Sequence, residues 1–307
     1  MNMHLTITAI IPTFRRGPYL VNTLKSMAEQ TEPADEILVL DQTPLAEHEA
    51  WVIDFLKEGH AEGKFCWIQL DEAAVSKARN QAIEVTNCDI LLYLDDDIIP
   101  DPELIRLHRY HFADPAVHAV VGSVTTNRLT HFHPAPKDFR ERTYVEQAFT
   151  YSNRFDSPME NIGFMCGGNF SVRRSAILAV GGWDEHIINY GDRDLGIRLN
   201  DEGYRIDYDP AATILHLAAP MGGTRLSDTT NPIKGWQRSV SLWYLAYRHL
   251  HGTMFWKYGV YRAARFSVLF KENAVRPWRW YEEIRNFEKA RRIAQAWADE
   301  GLASPFI

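Results

Sequence analysis

An apolar run leads directly into three carboxylates in the stretch Ile90-Leu91-Leu92-Tyr93-Leu94-Asp95-Asp96-Asp97. Five large apolar residues in a row are typical of a strand that is buried on both faces of a sheet. Three adjacent carboxylates repel one another when all are ionised, and a hard divalent cation with oxygen ligands, Mg²⁺ or Mn²⁺, would relieve that repulsion. The stretch therefore predicts a buried strand with a metal site at its carboxyl end. An acidic turn that caps the next helix is the alternative interpretation.

The preceding residues alternate short apolar runs with segments of helical periodicity. Strands are predicted at residues 7–11, 37–40 and 66–70, and helices at residues 20–28, 47–58 and 75–85. Strands rich in Ile, Leu and Val that alternate with helices predict an α/β fold with a mostly parallel sheet covered by helices on both faces. Ligands of such sheets bind beyond the carboxyl ends of the strands. Pro12-Thr13, Asp41 and the aspartate triplet all fall there.

The residues after about position 122 are less regular. Residues 123–160 mix polar, aromatic and Pro residues and are predicted to form loops and short elements over the ligand-binding face. Helices are predicted at 174–180 and 192–202, strands at 205–208 and 213–216, and two or three helices from about residue 236. The chain is therefore predicted to end in a helical appendage.

The composition of the 307 residues narrows the class of protein. The chain is 46% hydrophobic and 24% charged, which is ordinary for a globular protein with a sizeable core. A net charge of -7 argues against general nucleic-acid binding, which needs excess Lys and Arg. The three widely spaced cysteines form no recognisable disulfide or zinc pattern, and no apolar run approaches the roughly 20 residues that span a bilayer. With no signal peptide visible at its start, we expect a cytoplasmic protein.

A series of motifs in a fixed order resembles glycosyltransferase family 2 over roughly residues 6–216. Those that resemble the nucleotide-binding half of the family are Ile10-Ile11-Pro12-Thr13-Phe14-Arg15, Asp41 at a strand end, Ser76-Lys77-Ala78-Arg79-Asn80 and Leu94-Asp95-Asp96-Asp97. Those that resemble the second half are Gly167-Gly168-Asn169-Phe170-Ser171-Val172-Arg173-Arg174, Gly181-Gly182-Trp183-Asp184-Glu185 and Asp192-Arg193-Asp194-Leu195-Gly196-Ile197-Arg198-Leu199. Each motif is weak alone, whereas the ordered set is specific.

The resemblance implies the Rossmann-like fold called GT-A and a division of the chain into three regions. Residues 1–122 would form the nucleotide-sugar-binding half, residues 123–232 the acceptor-binding and catalytic-base half, and residues 233–307 the helical region. The implied activity is metal-dependent transfer of a sugar, with inversion, from a nucleotide diphosphate sugar to the hydroxyl of a saccharide or lipid-linked acceptor. UDP-sugars are the commonest donors in the family, and polysaccharide or glycoconjugate biosynthesis is the expected setting.

The resemblance also implies a set of donor-binding residues. They are Pro12, Thr13, Arg15, Asp41, Arg79, Asp95, Asp96, Gly167 and Gly168. Thr13 and Asp41 would contact the nucleoside, Arg79 the base or the phosphates, and the two glycines would let the backbone approach the donor sugar. A strand-end turn, a helix cap, an exposed helical arginine and a plain turn are the respective structural alternatives.

The metal and the catalytic base are implied in the same way. Asp97 would bind Mn²⁺ or Mg²⁺ directly, with Asp95 on the ribose or on metal-bound water, and His216 near the metal or the diphosphate unless it is structural. Asp192 corresponds to the general base, although Gly191 stands where the family usually has Glu. Asp194 is a competing base, and a helix cap is the structural alternative for Asp192.

Two other classes of protein fit the sequence less well than a transferase does. A nucleotidyltransferase would carry a Gly-rich phosphate loop after the first strand, and Pro12-Thr13-Phe14-Arg15-Arg16-Gly17-Pro18 is not one. A non-catalytic subunit of a polysaccharide assembly complex would have no reason to keep carboxylates at nearly all the expected positions. Both are therefore weaker interpretations than a transferase.

The C-terminal region has an unusual charge and composition. Residues 234–292 carry 13 Lys and Arg against 4 Glu, and the same segment is rich in Trp, Tyr and Phe. Basic aromatic helices are typical of contact with an anionic membrane, here the inner face of the cytoplasmic membrane. The alternative is that the aromatic residues pack onto the catalytic domain or onto a second subunit.

Overall fold

The protein is built around a mixed sheet of eight strands within the residues that the structure describes. The computed structural model describes residues 5–126, 132–151, 154–224, 235–260 and 277–306. The strands are β1 (Ile7–Thr13), β2 (Glu36–Asp41), β3 (Cys66–Gln69), β4 (Ile90–Leu94), β5 (Ile98–Pro100), β6 (Val117–Thr126), β7 (Asn169–Arg173) and β8 (Arg205–His216). Their order across the sheet is β3-β2-β1-β4-β7-β6-β8-β5.

The helices lie between these strands and after them. They are α1 (Gly17–Met27), α2 (Ala50–Ala61), α3 (Val75–Val85), α4 (Leu104–His111), α5 (Tyr144–Thr150), α6 (Arg174–Ala179), α7 (Gly191–Asp201), α8 (Gly235–His249) and α9 (Pro277–Glu300). Both sheet faces are covered, since alternate residues of the central strands belong to different cores. Leu91 and Tyr93 of β4 lie in one core, whereas Leu92 and Leu94 lie in the other.

The predicted mostly parallel sheet is confirmed, with two antiparallel strands. β3, β2, β1 and β4 are parallel to one another, and so are β6 and β8. β7 runs antiparallel to both β4 and β6, and the short β5 is antiparallel to β8. The prediction of separate strands at 205–208 and 213–216 was wrong, because β8 is continuous across the register shift between Gly122 and Ser123 of its neighbour β6. β6 and β7 were not predicted.

Strand register brings the chemically interesting residues to one edge of the sheet. β1 and β4 pair in parallel with Ala9 opposite Leu92, so the ends of both strands lie side by side. Ile98, directly after the aspartate triplet, pairs with His216 at the end of β8. Residues that are more than 100 positions apart in the chain therefore meet at this edge.

The C-terminal helices form a core of their own. Val240, Tyr244 and Leu245 of α8 pack with Ala290 and Ala294 of α9. The aromatic residues Trp243, Tyr247, Phe255 and Tyr258 join the same cluster, as the packing interpretation requires. The side chains of Trp236, Tyr261, Trp278, Trp280 and Tyr281 lie outside the described residues. None of the helices that the structure describes has the length and apolar character needed to cross a bilayer.

Candidate active site

A cleft of about 720 Å³ opens at the carboxyl edge of the sheet. Of the residues predicted to bind donor, metal or acceptor, those that line it are Pro12, Thr13, Arg79, Asp95, Asp96, Gly167, Asp192 and His216. The structure thus brings together residues from β1, α3, β4, β8 and the start of α7. This convergence could not be read from any single motif.

The three consecutive aspartates have different surroundings. Asp96 is buried, and its carboxylate accepts hydrogen bonds from Thr13 Oγ1 at 2.7 Å and from the Arg16 guanidinium at 2.7 Å. Asp97 is also buried, and it accepts the backbone N–H of Ala219 at 2.8 Å. Asp95 is about one-third exposed. Asp96 is therefore held by Thr13 and Arg16, and Asp95 and Asp97 are the two carboxylates of the triplet that could hold a metal ion.

Asp95, Asp97 and His216 form a donor set that fits a divalent cation. One ligand atom from each lies within 4.8 Å of the others, and His216 Nε2 lies 3.3 Å from Asp97 Oδ1 and 3.7 Å from Asp95 Oδ2. Burial alone would raise the pKa of Asp97, but the hydrogen bond from His216 and the charge of Arg16 hold this pKa below its usual value. Two ionised oxygens and one imidazole nitrogen suit Mn²⁺ or Mg²⁺.

Arg16 is a site residue that the sequence analysis missed. Its guanidinium donates to Asp96, lies 3.2 Å from Asp97 Oδ1, and donates to the carbonyl oxygen of Met221 at 3.1 Å. Burial lowers the pKa of Arg16, but the charges of the aspartates outweigh that effect and raise it. The signal that was available is the tandem Arg15-Arg16 after β1. Arg16 balances the charge of the triplet and ties it to the segment after β8.

The lack of a side chain at Gly168 leaves room for the Asp95 carboxylate. This glycine has a φ of +89°, and a Cβ built on it would lie 2.3 Å from Asp95 Oδ2. An L side chain is disfavoured at this φ, and here it would also displace the carboxylate. The predicted approach of the Gly167-Gly168 backbone to the donor sugar stays a prediction, and the group that lies against Gly168 in the structure is the Asp95 carboxylate.

Asp192 lies in the first turn of α7 and faces the cleft. Its carboxylate accepts the backbone N–H of Gly167. At the neighbouring Gly191, where the family usually has Glu, a Cβ would lie 3.3 Å from the buried Trp183 ring, so a side chain there would need the ring to shift slightly. Asp192 thus remains as the carboxylate of this turn that lines the cleft.

Asp194, the competing base, is fully buried in an ion-pair network. It pairs with Arg198 at 2.8 Å, with His249 at 2.8 Å and with Arg248 at 3.4 Å. Burial alone would raise the pKa of Asp194, but these cations lower it far below its usual value. Asp194 does not line the cleft. The geometry therefore favours Asp192 over Asp194 as a base.

Residues 8–181, more than half of the chain, match the family model described as Glycosyl transferase family 2. The chain belongs to this family. Among curated family 2 relatives, the O-antigen chain rhamnosyltransferase RfbN of Salmonella typhimurium is 26% identical over 222 residues, which are 69% of this chain and 66% of that protein. The glucosyl-dolichyl phosphate glucuronosyltransferase of Haloferax volcanii is 24% identical over 224 residues, 69% of each chain. This chain thus spans just under two thirds of the first of these relatives.

Solved structures place this family 2 chain in the GT-A fold. S. aureus TarS 1-349 in complex with UDP-GlcNAc superposes with a TM-score of 0.56 at 12% identity, over 79% of this chain and 66% of that one. The mannosyltransferase PcManGT from Pyrobaculum calidifontis, in complex with GDP-Man and Mn²⁺, gives a TM-score of 0.52 at 16% identity, over 99% of this chain and 77% of that one. At such identities the likeness concerns the fold alone.

Arg79 lines the cleft of this family 2 protein, and its expected contact with the base or the phosphates of the donor stays a prediction. Its guanidinium stacks over the Trp183 ring at 4.3 Å, and the charges of Asp95 and Asp192 act on it. Burial lowers the pKa of Arg79, and the two aspartates partly offset this effect. Its buried Nε has no hydrogen-bond partner within the described residues. The structural alternative of an exposed helical arginine is wrong, because only 9% of Arg79 is exposed.

Three of the expected donor residues, Asp41, Arg15 and Gly168, are not among those that line the cleft. The Asp41 carboxylate is fully buried and accepts hydrogen bonds from His48 at 2.8 Å and from Trp67 Nε1 at 3.1 Å. Arg15 pairs with Glu47 in a neighbouring depression. Gln42, which follows Asp41, does line the cleft and was not predicted.

Proposed function

We propose that the protein transfers a sugar, with inversion, from a nucleotide diphosphate sugar to a hydroxyl of a saccharide or lipid-linked acceptor. The observation that carries this proposal is that Asp192, Asp95 and His216 line one cleft at the strand edge, where the buried Asp97 completes the candidate metal-binding set. The setting would be polysaccharide or glycoconjugate biosynthesis, in keeping with the printed names of the relatives, and the proposed location is the cytoplasm. A nucleotidyltransferase is not favoured, because the family match runs through the nucleotide-binding residues.

Asp95, Asp97 and His216 would hold Mn²⁺ or Mg²⁺ against the diphosphate. When bound, the cation neutralises negative charge on the departing nucleotide diphosphate. Arg16 keeps Asp96 and Asp97 from repelling one another, and Thr13 fixes the orientation of Asp96. The buried Nε of Arg79 is available for a hydrogen bond to an oxygen of the donor.

Asp192 would act as the general base. The acceptor hydroxyl gives its proton to the Asp192 carboxylate as its oxygen attacks the anomeric carbon, and the bond from that carbon to the phosphate oxygen breaks. A single displacement of this kind inverts the anomeric configuration. The N–H of Gly167 fixes the carboxylate in place. UDP is the proposed nucleotide, with GDP and dTDP as alternatives for the same cleft.

The metal part of the proposal is tested by calorimetry with UDP, GDP and dTDP in Mn²⁺ or in EDTA. We expect one nucleotide to bind at least about tenfold more tightly with Mn²⁺, since the site otherwise presents carboxylates to a diphosphate. Asp97→Asn should lose this metal effect, whereas Asp54→Asn, at an exposed position on α2, should keep it. Equal affinity in EDTA would rule out the metal role, and retained anomeric configuration in the product would rule out single displacement.

Peripheral membrane contact is a second proposal, carried by one face of residues 252–260. Trp256 is 73% exposed and Val260 68% exposed, one helical turn apart, with Lys257 exposed beside them. An exposed aromatic and aliphatic pair in a basic segment suits an anionic interface. Co-sedimentation with phosphatidylglycerol vesicles should weaken with salt and with Trp256→Ala. Absence of binding at low salt would contradict this contact and leave the transferase proposal untouched.

A further inference from the structure

Part of the cleft wall is built by residues that lie outside the family match. The match ends at residue 181, whereas the cleft is also lined by the loop at residues 185–190, by Gln237 of α8 and by Trp297 of α9. The loop leads directly into Gly191 and Asp192 at the start of α7. The wall next to the proposed base therefore lies beyond the residues that the family model matches.

The 185–190 loop is held from several sides. Ser76 Oγ on α3 donates to the carbonyl oxygen of Ile187 at 2.8 Å. Ser241 Oγ on α8 accepts the backbone N–H groups of Ile188 and Asn189 at 3.2 and 3.3 Å. The backbone N–H of Glu185 donates to the carbonyl oxygen of Ala303 at 2.8 Å. A surface held this firmly can bind a ligand without the entropic cost of ordering a loop.

Two stacked aromatic rings form part of this wall of the cleft. The rings of His186 and Trp297 stack in parallel, with centroids 4.9 Å apart and an interplanar angle of 10°. His186 is held between Asp184 at 3.6 Å and Glu300 at 3.5 Å. Trp297 is half-buried and lines the cleft. Sugars have apolar C–H faces and polar hydroxyl edges, so an aromatic surface beside amide side chains matches both.

The charges in this part of the wall favour an uncharged ligand. The Lys77 ammonium is paired with Glu72 at 2.8 Å, and Glu185 accepts a hydrogen bond from Asn80 at 2.9 Å. Glu72, Lys77 and Glu185 together are net negative. A carboxylate on the acceptor sugar would meet Glu185, and among the described residues of this wall the Lys77 ammonium is already paired with Glu72.

We propose that the 185–190 loop, Gln237 and Trp297 form a subsite for the sugar residue that carries the attacking hydroxyl, and that this sugar is uncharged. The inference rests on the proposed function and adds the chemical class of the acceptor. The aromatic pair contacts a C–H face of the ring, while Gln237 and Asn189 contact its hydroxyl edge. The donor and the metal are left to the residues named for them in the proposed function.

The test uses p-nitrophenyl glycosides of rhamnose, glucose, mannose and N-acetylglucosamine, with the glucuronide as the charged probe. Affinities are measured by saturation-transfer NMR on the full chain with Mn²⁺ and UDP. At least one neutral glycoside should bind, and more tightly than the glucuronide. Trp297→Ala and His186→Ala should raise its Kd tenfold or more, whereas Trp256→Ala, at a tryptophan outside the cleft, should change it less than twofold.

Nucleotide affinity in Mn²⁺ separates the two proposals. It should change less than twofold in Trp297→Ala, because the donor contacts are elsewhere. If Trp297→Ala fails to fold by circular dichroism, Gln237→Ala on the same wall should still raise the glycoside Kd several-fold. Wild-type binding of no neutral glycoside, tighter binding of the glucuronide, or unchanged affinity in folded variants would overturn the subsite. If the wild type shows no metal-dependent nucleotide binding, the proposed function is overturned instead.

Discussion

The hydroxyl of Tyr244 donates a hydrogen bond to Asp184 Oδ2 at 2.6 Å, which joins α8 to the turn before α7. Arg248, one turn later on α8, lies 2.6 Å from the same oxygen and 3.4 Å from Asp194 Oδ1. His249 completes the contact with Asp194 at 2.8 Å. The C-terminal helices therefore support the helix that begins beside Asp192.

We expect Tyr244→Phe to lower both stability and turnover. The change removes a buried hydrogen bond to a carboxylate, which costs about 1–3 kcal/mol of unfolding free energy. Turnover should fall several-fold because α7 is held less firmly, while nucleotide affinity stays close to that of the wild type. Urea unfolding and initial rates measure the two effects. Tyr110→Phe, at a tyrosine that is 70% exposed, is the matched control and should change neither.

Asp192→Asn tests whether turnover depends on the basicity of this side chain rather than on its shape. The amide keeps the volume of the side chain and removes its ability to take a proton, so turnover should fall roughly 10²- to 10⁴-fold with little change in donor affinity. Asp194→Asn should act mainly on stability, because Arg198, Arg248 and His249 would then face an uncharged group. Single-turnover kinetics on both folded variants measures the rate of the chemical step. Near-normal turnover in Asp192→Asn would contradict the assignment of Asp192 as the general base.

Gly168→Ala should damage the metal site as well as the backbone. The methyl group would lie 2.3 Å from Asp95 Oδ2 at a φ of +89°. Gly203→Ala is the matched control, since its φ is +78° with nothing within 4 Å of the new Cβ. Backbone strain should lower the unfolding free energy of both variants by about 1–2 kcal/mol. Only Gly168→Ala should also weaken Mn²⁺-dependent nucleotide binding, by about tenfold or more in calorimetry; equal binding in the two variants would refute the role of Gly168.

His108 should make the protein sensitive to acid. Its buried ring lies 2.7 Å from Ser171 Oγ and 3.0 Å from Asn169 Oδ1, and burial lowers its pKa from 6.5 to about 4. The unfolded chain therefore takes up this proton first as the pH falls. Stability is retained above about pH 6.5 and declines down to about pH 4, by about 3 kcal/mol in total.

His108→Gln tests this source of acid sensitivity. The variant keeps a hydrogen-bonding side chain at this position and removes the titrating group, so the slope of stability between these pH values should become shallower. Urea unfolding at a series of pH values gives the slope. His251→Gln, at an exposed position, is the control, and an unchanged slope in His108→Gln would count against this origin.

The sequence predicted the first half of the sheet well because each strand there is a continuous apolar run. β7 was missed because Asn169-Phe170-Ser171-Val172 alternates polar and apolar residues after two glycines, and its polar side chains are buried by hydrogen bonds from distant elements. Asn169 donates to the carbonyl oxygen of Ala212, which no local pattern reveals. Arg16 was missed for the same reason, since its partners are set by the tertiary fold. The aspartate triplet was found because charge next to a buried strand is a local signal.

The contacts of residues 303–306 set an order in which the protein can assemble during translation. Ala303 accepts the N–H of Glu185, and the Phe306 ring occupies the space in which a Cβ on Gly182 would lie. Both contacts join the turn before α7 to residues that are translated after α9. The N-terminal strands can pair while the ribosome is still adding residues. The turn that leads to Asp192, in contrast, gains its contacts with Ala303 and Phe306 only once residue 306 has emerged. A nascent chain can therefore form the sheet edge that carries the aspartate triplet before these contacts support α7.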